Sequence, residues 1–295
     1  MKHLLFAAAL VVTAAIFVPG AVSAGTAAAG GGTLVFANAG DIWTMHADGT
    51  DLTQLTTDPA VDRSPHWSPD GTQIAFASRR TGNFEIWVMN ADGSNQHQIT
   101  HDAPSNDRDP SWTADGTRLV YDLDFNVINI IGTDGTGEQQ LRVSAALPDT
   151  SPRGLIAFSD QTDGGLYTMN LTGTDVQFVS NPLGQGTLDS AWSPSGDRIA
   201  FGCDLLPIAT NTLCSVASNG TNLIPLDVSF DRVDFSPTWS PNAKKVAFIG
   251  CLNYFTTPDC QIYTVKDDGT QLRQLTTFGV AVGVHGLDWK PDPDS

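Results

Sequence analysis

The sequence predicts an all-β fold, a six-bladed β-propeller of four-stranded antiparallel blades, closed by a C-terminal strand donated to the N-terminal blade. Three observations carry this. An apolar block ending in an aromatic recurs six times: Leu34-Val35-Phe36, Ile74-Ala75-Phe76, Leu119-Val120-Tyr121, Ile156-Ala157-Phe158, Ile199-Ala200-Phe201 and Val246-Ala247-Phe248. Each block leads to a turn at Gly49, Gly93, Gly135, Gly173, Gly220 or Gly269, and six residues past each glycine stands Leu55, Ile99, Leu141, Val179, Leu226 or Leu275. The two ends are complementary: the first unit has no inner strand, and Val284 to Lys290 is an inner strand with nothing after it. A unit of about 40–50 residues built from four short strands is the pattern of a propeller blade.

Taken in chain order, the elements begin with a targeting segment. Lys2 and His3 precede an apolar run from Leu4 to Val18, and Val22-Ser23-Ala24 offers a small-residue cleavage site. The run is shorter than the ~20 residues of a bilayer span. The expected layout is a signal peptide over 1–24, a linker over 25–32, the propeller over 33–291 and a tail over 292–295. Within each blade, strand a carries a Trp-Ser-Pro-type segment (Trp67-Ser68-Pro69, Trp112-Thr113-Ala114, Trp192-Ser193-Pro194, Trp239-Ser240-Pro241), strand b the apolar block, and strands c and d flank the glycine turn. In five of the turns Asp or Asn precedes the glycine, the dipeptides favoured where the chain needs positive φ. Blade 4 lacks the Trp, and aligning Pro152 with Pro65 makes its inner strand short or irregular. Pairing the last strand with the first blade removes an open sheet edge.

Composition agrees. Among 295 residues, 32 are acidic and 15 basic, a net charge of -17; 30 of the acids are Asp and two, Glu85 and Glu138, are Glu. Asp favours turns by bonding its own backbone, and with 28 Gly and 17 Pro a helical fold is excluded. So is nucleic-acid binding, which needs a basic face.

The run Asp62-Arg63-Ser64-Pro65-His66-Trp67-Ser68-Pro69-Asp70-Gly71, then Ile74-Ala75-Phe76, then Ile86-Trp87-Val88-Met89-Asn90-Ala91-Asp92-Gly93, resembles the WD40-like repeat of TolB-type propellers. The resemblance covers about Thr33 to Pro291 and implies the six-bladed scaffold. TolB proteins carry an α/β domain ahead of the propeller, and only about eight residues lie here between Ala24 and the first strand.

Four cysteines form two close pairs, Cys203/Cys214 and Cys251/Cys260, in the b–c hairpins of blades 5 and 6. From block aromatic to turn glycine there are 13, 17, 14 and 15 residues in blades 1–4, but 19 and 21 in blades 5 and 6. The expected disulfides therefore staple the longest loops, as an oxidising compartment allows. Zinc held by four thiolates is the rival reading and fits the spacing poorly.

No Gly-x-Ser-x-Gly elbow, His-Glu-x-x-His or phosphate loop is present. Of the histidines, His66 and His285 fall near inner strands and form the only channel pair; surface or hydrogen-bonding roles are favoured for all six over metal ligation. Trp67, Trp112, Trp192, Trp239 and Trp289 on strand a, and Trp43, Trp87, Tyr167 and Tyr263 on strand c, are period-matched and read as core. Asp62, Asp107, Asp149 and Asp234 stand three residues before the inner-strand proline, where blade 5 has Thr187 and blade 1 has Val284. As a ring at one channel mouth they either cap their own loops, the favoured reading, or bind calcium through oxygen ligands. Arg63, Arg79, Arg80, Arg108 and Arg232 fall on the same face and give it a mixed-sign rim, which suits contact with a protein partner.

Two functional expectations follow. The first is an exported propeller, periplasmic or extracellular, monomeric after signal cleavage and not membrane-inserted. It serves as a protein-binding scaffold at the cell envelope or outside it, with no catalytic activity. The second is a metal-dependent carbohydrate lyase or hydrolase with its site in the propeller channel. Propellers host both kinds.

Overall fold

A computed structural model describes residues 32–101, 103–181, 189–203, 212–227, 232–253, 258–277 and 286–292. The signal segment and most of the linker, His3, Thr187, Val284, His285 and residues 293–295 lie outside the described residues.

The alternating apolar pattern produces six four-stranded antiparallel sheets. Blade 1 joins Leu287–Trp289 to Thr33–Asn38, Asp41–His46 and Thr53–Gln54; blade 2 is Asp62–Trp67, Gln73–Ser78, Glu85–Asn90 and His97–Gln98. Blade 3 runs Asp107–Trp112, Arg118–Leu123, Val127–Gly132 and Gln139–Val143, and blade 4 Ala145–Thr150, Leu155–Asp160, Leu166–Asn170 and Gln177–Ser180. Blade 5 is Ser190–Trp192, Arg198–Cys203, Thr212–Ala217 and Ile224–Asp227; blade 6 is Arg232–Trp239, Lys245–Leu252, Asp259–Lys266 and Arg273–Gln274. The C-terminal strand closes the ring as the sequence predicts, with Trp289 opposite Leu34, Asp288 opposite Val35 and Leu287 opposite Phe36. Among the described residues no helix is long and apolar enough to cross a membrane.

The six blocks are the core: Phe36, Phe76, Tyr121, Phe158, Phe201 and Phe248 are all fully buried. Two of the repeat's markers also touch each other across blades. A Cβ placed on Gly93 would lie 2.8 Å from the carbonyl oxygen of Leu55, and one on Gly173 only 2.5 Å from that of Leu141. Each turn glycine thus admits the backbone of the aliphatic residue in the preceding blade, besides holding positive φ. The strand-a tryptophans tie blades as well. Trp112 Nε1 donates to the His66 carbonyl at 3.1 Å, Trp192 Nε1 to that of Asp149 at 3.2 Å, and Trp239 Nε1 to that of Ala191 at 3.2 Å.

Blade 4 corrects the sequence reading. Its inner strand is a full six residues, Ala145–Thr150. Thr150 occupies the place of the missing Trp, since it pairs with Ile156 as Trp67 pairs with Ile74. Pro148 is therefore the inner-strand proline, and Pro152 corresponds to Pro69 of the Trp-Ser-Pro segment. Two prolines four residues apart, without the Trp between them, hid the register.

Both cysteine pairs are disulfides, Cys203–Cys214 and Cys251–Cys260. The half-cystines lie within strands b and c, with Cys251 directly opposite Cys260.

Candidate functional site

Strand a bulges before its last residues in blades 2, 3, 4 and 6. Register shifts fall between Arg63 and His66, Arg108 and Ser111, Ala146 and Asp149, and Phe235 and Thr238. A residue inside each bulge takes positive φ: Ser64, Asp109, Leu147 and Ser236, with Gly286 at the matching place in blade 1. The bulge re-aims the side chains that follow. They line a central cavity of about 400 Å³. At one end the lining is Pro69, Ala114, Pro152, Pro194, Pro241 and Pro291, one from each blade.

Deeper in the channel, the residue before each strand-a Trp (or Thr150) forms a ring of His66, Ser111, Asp149, Ala191, Thr238 and Asp288. This ring is bonded to itself and to the neighbouring blade. Asp288 accepts from the Trp67 backbone N–H at 2.8 Å, Ser111 from Thr150 N–H at 3.0 Å, Asp149 from Trp192 N–H at 2.7 Å and Thr238 from Trp289 N–H at 3.0 Å. Each is a side-chain staple across a seam between blades. Ser111 further donates to Asp149 at 3.1 Å and Thr238 to Asp288 at 3.0 Å. His66 sits between the two acids, its Nε2 3.4 Å from Asp149 and its Nδ1 3.7 Å from Asp288. Burial alone would lower the His66 pKa, but the two carboxylates outweigh it and hold the imidazolium, with the pKa pushed up to about 9. Burial raises the Asp288 carboxyl, while His66 and the Trp67 N–H pull it back.

The four acids of the predicted ring do not share one place. Asp62, Asp107 and Asp234 are equivalent, each opposite the residue two past its block aromatic; blade 4 has Ala145 there, opposite Asp160. Asp149 belongs instead to the channel ring, one turn of the alignment further on. Asp62 is buried and paired with Arg80 at 2.7 Å, Asp234 is buried and paired with Arg232 at 3.0 Å, and Asp107 is buried. Among the described residues no three His, Cys, Asp or Glu side chains cluster so as to hold a metal. Asp62 and Asp234 each have an arginine of their own blade as partner.

The five predicted rim arginines divide in two. Arg80 lies over Phe76 and Trp87 and bonds Asp62, and Arg232 is buried over Phe248 and Tyr263 between Asp227 and Asp234. Arg142 repeats this arrangement in blade 4, over Phe158 and 2.9 Å from Asp160. These are blade-internal pairs. Arg63, Arg79 and Arg108 converge instead on Phe84, their guanidinium carbons 4.0, 5.1 and 5.4 Å from its ring centre.

Ser111, Thr238 and Asp288 were not singled out from the sequence. The signal was available in five blades as the residue preceding the strand-a Trp; in blade 4, Thr150 conceals it.

The molecule is a six-bladed propeller stapled around a central channel, with Leu287–Trp289 completing the first blade. The family "Tricorn protease N-terminal beta propeller domain" matches residues 26–130. A protein TolB homolog of Chlorobium luteolum is 43% identical over 54 residues, 18% of this chain and 12% of that protein. The chain spans less than half the length of the curated relatives it matches. In three dimensions it is similar to TolB from Acinetobacter baumannii, with a TM-score of 0.73 and 17% identity over 88% of this chain and 67% of that one. A putative TolB from Agrobacterium tumefaciens gives 0.70 and 17%, over 90% and 94%. Together with the repeat itself, these matches show that the chain is similar to TolB-type six-bladed propellers in fold.

Proposed function

We propose that this chain is an exported, non-catalytic propeller that binds a protein partner at the cell envelope or outside it. The observation that carries the reading is the state of the channel ring. Its acids and its histidine, the groups an enzyme would need free, are engaged in seam staples and in one another. A general base must reach a substrate proton, and Asp149 and Asp288 each hold a backbone N–H and the imidazolium instead. TolB-type relatives support a scaffold role, and the apolar leader and two disulfides support export. The carbohydrate-lyase alternative is supported only by a weaker likeness of fold, to an oligogalacturonate lyase of Vibrio parahaemolyticus with a TM-score of 0.54 and 11% identity.

The test is affinity capture from envelope extract with the mature protein, with and without chelator, beside assays on acidic and neutral polysaccharides. Capture of a defined protein that survives chelation, with no turnover, is expected. Polysaccharide cleavage abolished by Asp149→Asn would overturn the reading. Calcium, the second reading of the acid ring, is titrated calorimetrically in parallel; heat and a raised melting temperature would favour it over local capping.

A further inference from the structure

The Phe84 cluster is built differently from the arginine–aspartate pairs among the described residues. Phe84 is itself buried between blades 2 and 3, packed with Trp112, Leu119 and Tyr121. Arg63 comes from the inner strand of blade 2, Arg79 from the loop after its second strand, and Arg108 from the inner strand of blade 3, where it also lies 4.6 Å from the Phe125 ring centre. Arg80, Arg142, Arg153 and Arg232 each have an aspartate within 2.9 Å or less. Arg63, Arg79 and Arg108 have no ion pair among the described residues. The buried Nε and Nη2 of Arg63 and the buried Nε of Arg108 have no hydrogen-bond partner there either. A buried guanidinium donor without an acceptor is costly, so such donors mark a place where an acceptor belongs.

The nearby acids do not supply it. Asp109 accepts from the Ser64 hydroxyl at 2.5 Å. Asp122 accepts from the Phe125 backbone N–H at 3.0 Å and the Leu147 N–H at 3.3 Å, and burial, with Asp109 beside it, raises its pKa well above the usual carboxylate range. Burial pulls the Arg63 pKa down, Asp109 and Asp122 oppose this, and Arg108 and Arg79 add to it by like-charge repulsion. Three guanidiniums thus gather on one aromatic ring with no ion pair among the described residues. Resting on the scaffold reading above, we propose that Arg63, Arg79 and Arg108 form a docking site for a carboxylate carried on an extended segment of the protein partner.

Two arguments fix the ligand class. Guanidinium forks match the planar, two-oxygen geometry of a carboxylate. A chain of net charge -17 repels a polyanion over its whole length, whereas a lone carboxylate feels only the local field inside a screening length of about 8–10 Å. The occupant is therefore a single Glu, Asp or chain terminus on a protein and not an acidic polysaccharide.

The test is NMR of the arginine Nε–H groups in the full mature protein. The probes are a blocked hexapeptide with two glutamates, the same peptide with glutamines, and oligogalacturonate. The expected result is that the glutamate peptide shifts the Arg63 and Arg108 signals and the glutamine peptide does not. Arg63→Gln/Arg108→Gln should weaken binding about tenfold or more, and the exposed Arg79→Gln, which leaves the fold untouched, about threefold. Equal shifts from both peptides, no shift at all, or unchanged affinity in Arg79→Gln and in a folded double variant would each overturn the site. So would tighter binding of oligogalacturonate than of the glutamate peptide. Partner capture that persists in the double variant sinks the carboxylate site alone and leaves the scaffold reading standing.

Discussion

The channel ring and the Phe84 cluster lie close together on the same inner strands, yet they treat charge in opposite ways. In the ring every charged group has its complement: His66 stands between Asp149 and Asp288, and each carboxylate also takes a backbone N–H from the next blade. In the cluster three guanidiniums share one aromatic ring and have no ion pair among the described residues. The contrast teaches that polar residues at equivalent steps of a repeat can serve stability in one place and recognition in another. What separates them is whether the chain itself supplies the partner. Substitutions in the ring should damage folding, and substitutions in the cluster should damage binding.

The largest effect is expected from Asp288→Ala. It removes the acceptor for Trp67 N–H, the partner of the Thr238 hydroxyl and one of the two counter-charges of His66. Breaking a largely buried pair from one side costs about 3–5 kcal/mol, and urea unfolding would read it. Asp288→Asn keeps an acceptor but no charge and should fall between the variant and the parent. A loss under about 1 kcal/mol for Asp288→Ala would place the ring with ordinary surface pairs and dissolve the comparison.

How far sequence alone could separate the two regions is instructive. The fold was legible because its signals are periodic: the blocks, turn glycines and strand-a tryptophans recur in register, and Gly93 against Leu55 shows why two of these markers travel together. The site was legible only in part. His66 was placed at the channel, but Asp149 was grouped with Asp62, because without a Trp at position 150 the proline at 152 could pass for the one at 148. Arg232 was read as rim, since sequence cannot show that Asp227 and Asp234 enclose it. Asp288 carried only its place before Trp289. Its importance arises from residues more than two hundred positions away in the chain, such as Trp67, and from His66 being the one ring member that becomes a cation.

The pH dependence of stability isolates the ring's charge. The folded-state pKa of His66, about 9, exceeds the ordinary 6.5. Its contribution is therefore complete below about pH 6.5 and is lost as the pH rises towards 9. The full shift corresponds to about 3 kcal/mol, and a smaller loss is expected because 29% of the side chain is open to the channel. Unfolding free energies at pH 6 and 9.5 should differ by less in His66→Gln than in the parent. Identical pH profiles would mean that the imidazole is neutral throughout.

A smaller gain is expected where the ring lacks a staple. Ala191 occupies the ring position of blade 5, and its methyl group cannot accept from Trp239 N–H as Ser111 accepts from Thr150. Ala191→Ser adds the hydroxyl at a site whose backbone already matches. It should stabilise the protein by about 0.5–1 kcal/mol, the net value of one such bond. Destabilisation of that size would show that the blade 5–6 seam is spaced differently from the others.

The smallest effect, and the sharpest contrast, belongs to Arg79→Gln. The side chain is exposed and lies 5.1 Å from the Phe84 ring centre, so its removal forfeits a cation–π contact of about 0.5 kcal/mol. It also relieves repulsion on Arg63, which Arg79 and Arg108 both crowd. The two terms oppose each other, and the melting temperature should stay within about 2 °C of the parent. A clear rise would mean that the three cations are held together at a cost to folding, the pattern expected where stability has been given up for binding. A clear fall would make Arg79 a structural residue like Arg80, whose guanidinium is bonded to Asp62 2.7 Å away, and would move the Phe84 cluster into the same class as the ring.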